Sequence, residues 1–259
     1  MTPVTLEIND GIARLALNRP AQLNAISPEL LDALDAACAT IETDENARVV
    51  TLTGNGRVFC AGADLKVVQD YAPDPVKWKS FMGQWRRVFD RVERLPRPVI
   101  AGVHGLALAG GLELTLVADL VVADAEARIG DQHANFGLLA GGGGSQRLPR
   151  VIGPRRAKEL MLIGGWITAE QALAWGLVNR VAPAGKLDDT VMEIARALVD
   201  KSVSASRSAK MLVNRALDVD LATGLDLEAA EVARHMRGAD AVEGLAAFVG
   251  KRTPNFRRA

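Results

Sequence analysis

Two short runs of small residues, Cys60-Ala61-Gly62-Ala63-Asp64-Leu65 and Leu108-Ala109-Gly110-Gly111-Leu112-Glu113, each lead into a helical pattern. A helix start leaves backbone N–H groups without intrahelical acceptors, and small side chains let a ligand oxygen approach them closely. Two such donors converging on one oxygen form an oxyanion hole, which stabilises an enolate or a tetrahedral oxyanion. The same glycines would also serve if they made tight turns and nothing more. Glu113 adds an ionisable group. It lies in the apolar stretch 106–118, where burial without a partner raises a carboxyl pKa toward the range useful for acid–base work. It follows Gly110 by three residues, about one helical turn, and so shares a face with that N–H. A Glu paired with a buried Arg is the alternative use of the same position.

Familiar catalytic motifs are missing. The sequence has no P-loop, no G-x-S-x-G elbow, no H-E-x-x-H and no G-x-G-x-x-G. His104, His133 and His235 are too scattered to suggest a metal cluster, and no metal is expected. The run Gly141 to Gly144 lacks the Lys-Ser/Thr of a nucleotide-binding loop. Cys38 and Cys60 make neither a disulfide framework nor a zinc site. Cys60 has no activating neighbour in sequence and reads as a small packing residue.

Such groups need a scaffold. Val4 to Ile8 and Ile12 to Leu17 alternate around Asn9-Asp10-Gly11, a strand–turn–strand pattern. Ser27-Pro28-Glu29 starts a helix, with Ser as N-cap and Pro in the first helical position. Val49 to Leu52 is a short buried strand, Pro75 to Leu95 a second helix, and Val99 to Val103 another strand. A helix is expected from about Gly110, and a strand from Asp119 to Ala123. This alternation predicts a mostly parallel sheet with helices outside. From Ala157 onward the pattern is helical, with one strand-like piece at Leu177 to Val181. An apolar patch at Val151, Ile152, Met161, Leu162 and Ile163 would suit contacts between subunits.

The 259 residues carry 31 basic and 31 acidic side chains, and 49% of them are apolar. That composition suits a chain with one sizeable core and gives no electrostatic reason to expect nucleic acid or an anionic membrane as partner. Residues 1–5 lack a signal-peptide pattern. The run Val99 to Ala118 is long enough to span a bilayer, but it holds His104, Glu113 and four glycines, which argues against a span. A cytoplasmic setting is expected.

Several segments together carry a family pattern. They are Asn18-Arg19-Pro20 with Leu23-Asn24-Ala25, then Phe59 to Leu65, Ala109 to Glu113 and Gly144-Ser145-Gln146-Arg147-Leu148-Pro149-Arg150. Ala169-Glu170-Gln171-Ala172, Gly176-Leu177-Val178-Asn179 and the tail from Glu243 to Phe248 with Lys251-Arg252-Thr253-Pro254 complete it. In order and spacing, over essentially the whole chain, the sequence resembles the crotonase family, the enoyl-CoA hydratase/isomerase superfamily. The resemblance implies an α/β fold, a crotonase-like spiral of strand–strand–helix turns. Residues 1–195 would form the spiral core and 196–259 a helical region packing on the core and on neighbouring subunits of a homo-trimer or hexamer, in one continuous domain. The implied substrates are acyl-CoA thioesters, with no cofactor beyond the coenzyme A they carry.

The resemblance also places residues. The thioester oxygen would be held by the N–H groups of Ala63 and Gly110. Gln22, Leu23 and Ala25 of the first loop would line the CoA path with Ala61, Gly62, Asp64 and Leu65 of the first turn and Gly111 of the second. Arg57 and Lys66 occupy positions from which cations reach CoA phosphates. Phe248 and Lys251 match tail residues that lie near the CoA, often that of a neighbouring subunit. Ordinary solvated surface charge is the alternative for the three cations.

Family hydratases use two glutamates around one water. The first aligns with Glu113; at the second position this chain has His133, within Ile129-Gly130-Asp131-Gln132-His133-Ala134. An imidazole titrates near neutrality and could serve as the second acid–base group, with Asp131 orienting it or acting instead. A second departure is Ala140, where many relatives have proline. The expected reaction is hydration of a trans-2-enoyl-CoA. The alternatives are double-bond isomerisation, decarboxylation, C–C hydrolysis, or acyl-CoA binding without turnover.

Overall fold

The computed structural model describes residues 2–256. The chain opens with β1 (Val4–Asn9) and β2 (Ile12–Leu17), an antiparallel pair. Asp10 and Gly11 join them, both at positive φ, the conformation a two-residue hairpin turn demands. Helix α1 (Pro28–Thr43) starts as the sequence predicts, with Ser27 Oγ accepting the Leu30 N–H. Then follow β3 (Val49–Gly54), α2 (Leu65–Tyr71), α3 (Pro75–Arg94) and β4 (Val99–Val103).

Next come β5 (Leu106–Leu108), α4 (Gly110–Thr115), β6 (Leu120–Asp124) and β7 (Arg128–Gly130). Helices α5 (Gly144–Ile152) and α6 (Pro154–Ile163) precede β8 (Trp166–Thr168), α7 (Ala169–Trp175) and β9 (Arg180–Ala182). Helices α8 (Leu187–Val199), α9 (Val203–Arg215), α10 (Leu221–His235) and α11 (Ala239–Val249) close the chain.

The main sheet runs β1-β2-β3-β4-β6-β9, parallel from β2 onward. A second, three-stranded sheet, β5-β7-β8, has no counterpart in the sequence reading. Its strands are three residues each, too short for a period to show. The apolar run 99–118 divides between the two sheets and a helix. It turns at Gly105, where φ is +57° and a Cβ would meet the Arg57 carbonyl oxygen at 2.2 Å. Among the described residues no helix is long and apolar enough to cross a membrane.

The core sits between the sheets, α1 and α3, with a smaller cluster where α8 covers the main sheet as far as Val199. Of the expected surface patch, Val151, Leu162 and Ile163 are exposed, whereas Ile152 is buried in the core. Helix α10 buries none of its residues within the chain.

Candidate active site

The first turn is held by strand-like bonds on one side only. Ile26 N–H donates to the Gly62 carbonyl at 2.7 Å, and Asp64 N–H donates to the Ile26 carbonyl at 2.9 Å. Backbone groups of successive residues in such a bridge face opposite ways, so the Ala63 N–H between them turns away from Ile26. The second turn is brought alongside by a short ladder: Cys60 N–H to Leu106 O at 3.1 Å, and Leu108 N–H to Cys60 O at 3.0 Å. Gly62, at φ +96°, makes the approach possible. A Cβ there would lie 2.9 Å from the Leu108 carbonyl oxygen and 3.3 Å from the Gly110 nitrogen.

Gly110 is the first residue of α4, so its N–H has no intrahelical acceptor. It is aimed by Ala109, which holds φ 49°, ψ −112°, a strained conformation for a residue with a Cβ. The two expected donors therefore stand in adjacent turns. Gly111, in contrast, is needed for packing: a Cβ there would meet the Cys60 carbonyl oxygen at 2.2 Å.

Glu113, one turn into α4, is 1% exposed. Its Oε1 accepts the Gly144 N–H at 2.8 Å, from the first residue of α5. Burial pushes its carboxyl pKa up, against the Gly144 and Gly142 N–H groups and the charge of His133, which favour the carboxylate. Among the described residues no Arg forms an ion pair with it. The glycine run thus frames the carboxylate. A Cβ on Gly142 would stand 2.7 Å from both Glu113 Oε2 and Trp85 Nε1.

His133 and Asp131 form a dyad on the segment after β7. Asp131 is buried, and its Oδ1 lies 2.8 Å from His133 Nδ1 and 3.1 Å from the His133 backbone nitrogen. A carboxylate only accepts, so Nδ1 carries the proton and Nε2 is left as the exchanging atom. Burial works against the imidazolium. The Asp131 hydrogen bond and the charges of Asp131 and Glu113 outweigh it, and the His133 pKa stands above the ordinary imidazole value. Glu113 and His133 thus act on each other electrostatically.

The first loop is tied to the first turn. Arg19 reaches Asp64 at 2.9 Å and the Ala25 carbonyl at 2.5 Å, and Asp64 also caps α2 through the Lys66 N–H. Buried Asn24 sends its Nδ2 to the carbonyls of Asn55, Val58 and Phe59. Leu23 and Asn24 both hold positive φ. Gln22, Arg57, Leu65 and Lys66 are exposed around this loop and turn, and Ala61 is half-buried. Phe248 and Lys251 lie at and just beyond the end of α11, facing solvent in the single chain. Cys60 is buried, with its thiol donating to the Asn24 carbonyl and pushed up to about 12 by burial, so it packs and does not attack.

Three features escape the sequence reading. The glycine run serves Glu113, Arg147 ties α5 to Asp90 and Glu93 of α3, and Trp85 of α3 lies against Gly110 and, with Glu113, borders Gly142. The only sequence signal for Trp85 is a position in the apolar stripe of α3, shared with Phe81, Val88 and Phe89. Among the described residues no group of three or more His, Cys, Asp or Glu side chains is placed to hold a metal ion.

An α/β fold with two backbone N–H donors in adjacent turns and a buried carboxylate one helical turn away is the layout of an enzyme that stabilises an oxyanion at a carbonyl. Comparison with known proteins agrees. The enoyl-CoA hydratase/isomerase family model matches residues 7–259, and the chain belongs to that family, with its crotonase fold. It is 37% identical over 256 residues to the mitochondrial methylglutaconyl-CoA hydratase of Mus musculus, covering 97% of this chain and 81% of the relative. It is 38% identical over 255 residues to the enoyl-CoA isomerase/hydratase fer4 of Mycosarcoma maydis, covering 95% and 92%. The crystal structure of an enoyl-CoA hydratase from Bacillus anthracis superposes with a TM-score of 0.93 at 37% identity, covering 99% of this chain and 100% of the other.

Proposed function

We propose that the chain hydrates a trans-2-enoyl-CoA to the 3-hydroxyacyl-CoA. The observation that carries this reading is the buried Glu113 carboxylate, bonded by the Gly144 N–H and one helical turn from the Gly110 N–H, with the Asp131-bound His133 acting on it electrostatically. The Ala63 and Gly110 N–H groups accept the charge that develops on the thioester oxygen. The Glu113 carboxylate removes a proton from water as the water oxygen bonds to C3. The C2=C3 electrons move toward the thioester oxygen, and the His133 imidazolium delivers its Nε2 proton to C2. Glu113 ends protonated and His133 neutral, and return of that proton to His133 through solvent restores the pair. Gln22, Leu23, Ala25, Ala61, Gly62, Asp64, Leu65 and Gly111 line the CoA path in this reading, with Arg57, Lys66, Phe248 and Lys251 toward its phosphates.

The bare apolar face of α10, with Leu221, Leu225 and Val232 exposed, favours assembly into a trimer or a hexamer. The test of the reaction is the absorbance of the conjugated enoyl thioester in crotonyl-CoA. It should decay with the wild-type chain and slow by about 10²–10⁴-fold in both Glu113→Gln and His133→Ala. A wild-type chain that binds crotonyl-CoA yet leaves its absorbance unchanged would overturn the reading.

A further inference from the structure

Trp85 stands where the reacting groups meet. It is 4% exposed, and its Nε1–H has no acceptor among the described residues. A buried donor left without a partner is costly, so its placement requires an explanation. The ring is fixed by edge-on contacts with Phe81 and Phe89, one helical turn on either side, at centroid distances of 5.5 and 5.7 Å. Its Cζ2 edge lies against Gly110, where a Cβ would meet it at 2.6 Å. Around the same edge, Nε1 and Glu113 Oε2 both lie 2.7 Å from the point a Gly142 Cβ would occupy. One edge of the indole therefore runs from Gly110 to the side of Gly142 that the Glu113 carboxylate also borders.

An indole N–H only donates and a carboxylate only accepts. Both atoms border the same side of Gly142, so one oxygen bonded to the two would accept from Trp85 and donate to Glu113. Resting on the hydration reading, we infer that Trp85 Nε1–H is the donor that holds the oxygen bound for C3 of the acyl chain. In hydration that oxygen is the attacking water; in the product it is the 3-hydroxyl. With one lone pair engaged by Trp85 and one hydrogen directed to Glu113, the oxygen keeps a lone pair for C3. Trp85 thereby supplies the second contact to the water in a chain that has His133 in place of a second glutamate. The same contact makes the pocket selective for acyl groups that bear an oxygen at C3.

The test compares 3-hydroxybutyryl-CoA with butyryl-CoA, which differ only in that oxygen. Their affinities are measured by calorimetry on the full chain in a His133→Ala background, which slows turnover, with and without Trp85→Phe. Loss of the N–H should weaken 3-hydroxybutyryl-CoA about 10-fold and leave butyryl-CoA within about twofold. On the unaltered background, Trp85→Phe should lower kcat for crotonyl-CoA by about 10–100-fold with KM little changed. Equal weakening of both ligands, or of neither, overturns the inference.

Should Trp85→Phe fail to fold, the indole ¹H–¹⁵N resonance of Trp85 decides, identified by elimination with Trp78→Phe, Trp166→Phe and Trp175→Phe. It should move downfield with 3-hydroxybutyryl-CoA and not with butyryl-CoA, and an identical response to both overturns the inference. The two readings fail separately. An inert wild-type chain removes hydration while the ligand pair still reports on Trp85, whereas active enzyme without the 3-oxygen preference removes Trp85 alone.

Discussion

Asp131 Oδ1 lies 2.8 Å from His133 Nδ1, and the carboxylate is buried while the imidazole is half-buried. The contact fixes the tautomer and, with Glu113, holds the His133 pKa above the ordinary imidazole value against the opposing effect of burial. In the proposed reaction His133 must be protonated, so activity falls as pH rises through that pKa. Asp131→Asn removes a charge that favours the imidazolium and leaves burial to dominate. Its kcat/KM should fall about 10–100-fold at neutral pH, and the alkaline loss of activity should begin at lower pH. A pH–rate profile shifted the other way would contradict the assignment.

Two glycines separate chemistry from packing. At Gly142 a Cβ would reach Glu113 Oε2 and Trp85 Nε1, both at 2.7 Å and both in the site; at Gly111 it would reach the Cys60 backbone carbonyl at 2.2 Å. Gly142→Ala should therefore lower kcat/KM by about 10² or more while the melting temperature changes by only a few degrees. Gly111→Ala should destabilise the fold by about 1–3 kcal/mol, because backbone must move. Thermal melts read beside crotonyl-CoA kinetics would separate the two.

How much of this was legible in the sequence depends on whether the signal was local. The Asn9-Asp10-Gly11 turn, the Ser27 cap and the span of α3 are each written within a few adjacent residues, and the structure has them. The two turns were visible as small residues ahead of helices, and Glu113 as a carboxyl in an apolar run; the structure has both turns and buries Glu113. The β5-β7-β8 sheet was not visible. Its three strands are three residues each, and its order comes from pairings such as Leu106 with Arg128 and Ile129 with Ile167. Trp85 was hidden for another reason. On the stripe of α3 it looks like any core aromatic, and only the tertiary approach of Gly110 and Gly142 gives its N–H a direction. The Gly141 to Gly144 run carries no local sign of its role, because its partner, Glu113, lies 31 residues before Gly144.

Glu113 should cost stability as well as confer activity. Burial raises its pKa in the folded chain above the value in the unfolded chain. The folded state therefore holds that proton more tightly, and stability is lost as pH rises from the ordinary carboxylate range through the folded pKa. Glu113→Gln removes the ionisation. Its melting temperature should match the wild type near pH 4 and exceed it by roughly 2–4 °C at pH 8. A difference independent of pH would show that ionisation of Glu113 is not its source.

Ala109 sets a similar opposition between stability and rate. Its φ of 49° with ψ of −112° belongs to a region that glycine enters freely and alanine enters at a cost of about 1–3 kcal/mol. The strain directs the Gly110 N–H, with the Ala109 N–H anchored on the Gly130 carbonyl at 2.9 Å. Ala109→Gly relieves the strain and also frees the unfolded chain, two effects of opposite sign on stability. Relief should prevail, raising the urea midpoint by an amount equivalent to about 1 kcal/mol at unchanged m. The same change lets the oxyanion donor wander, and kcat should fall about 10-fold. A midpoint that falls together with kcat would mean that Ala109 is held without strain and that the turn is rigid for some other reason.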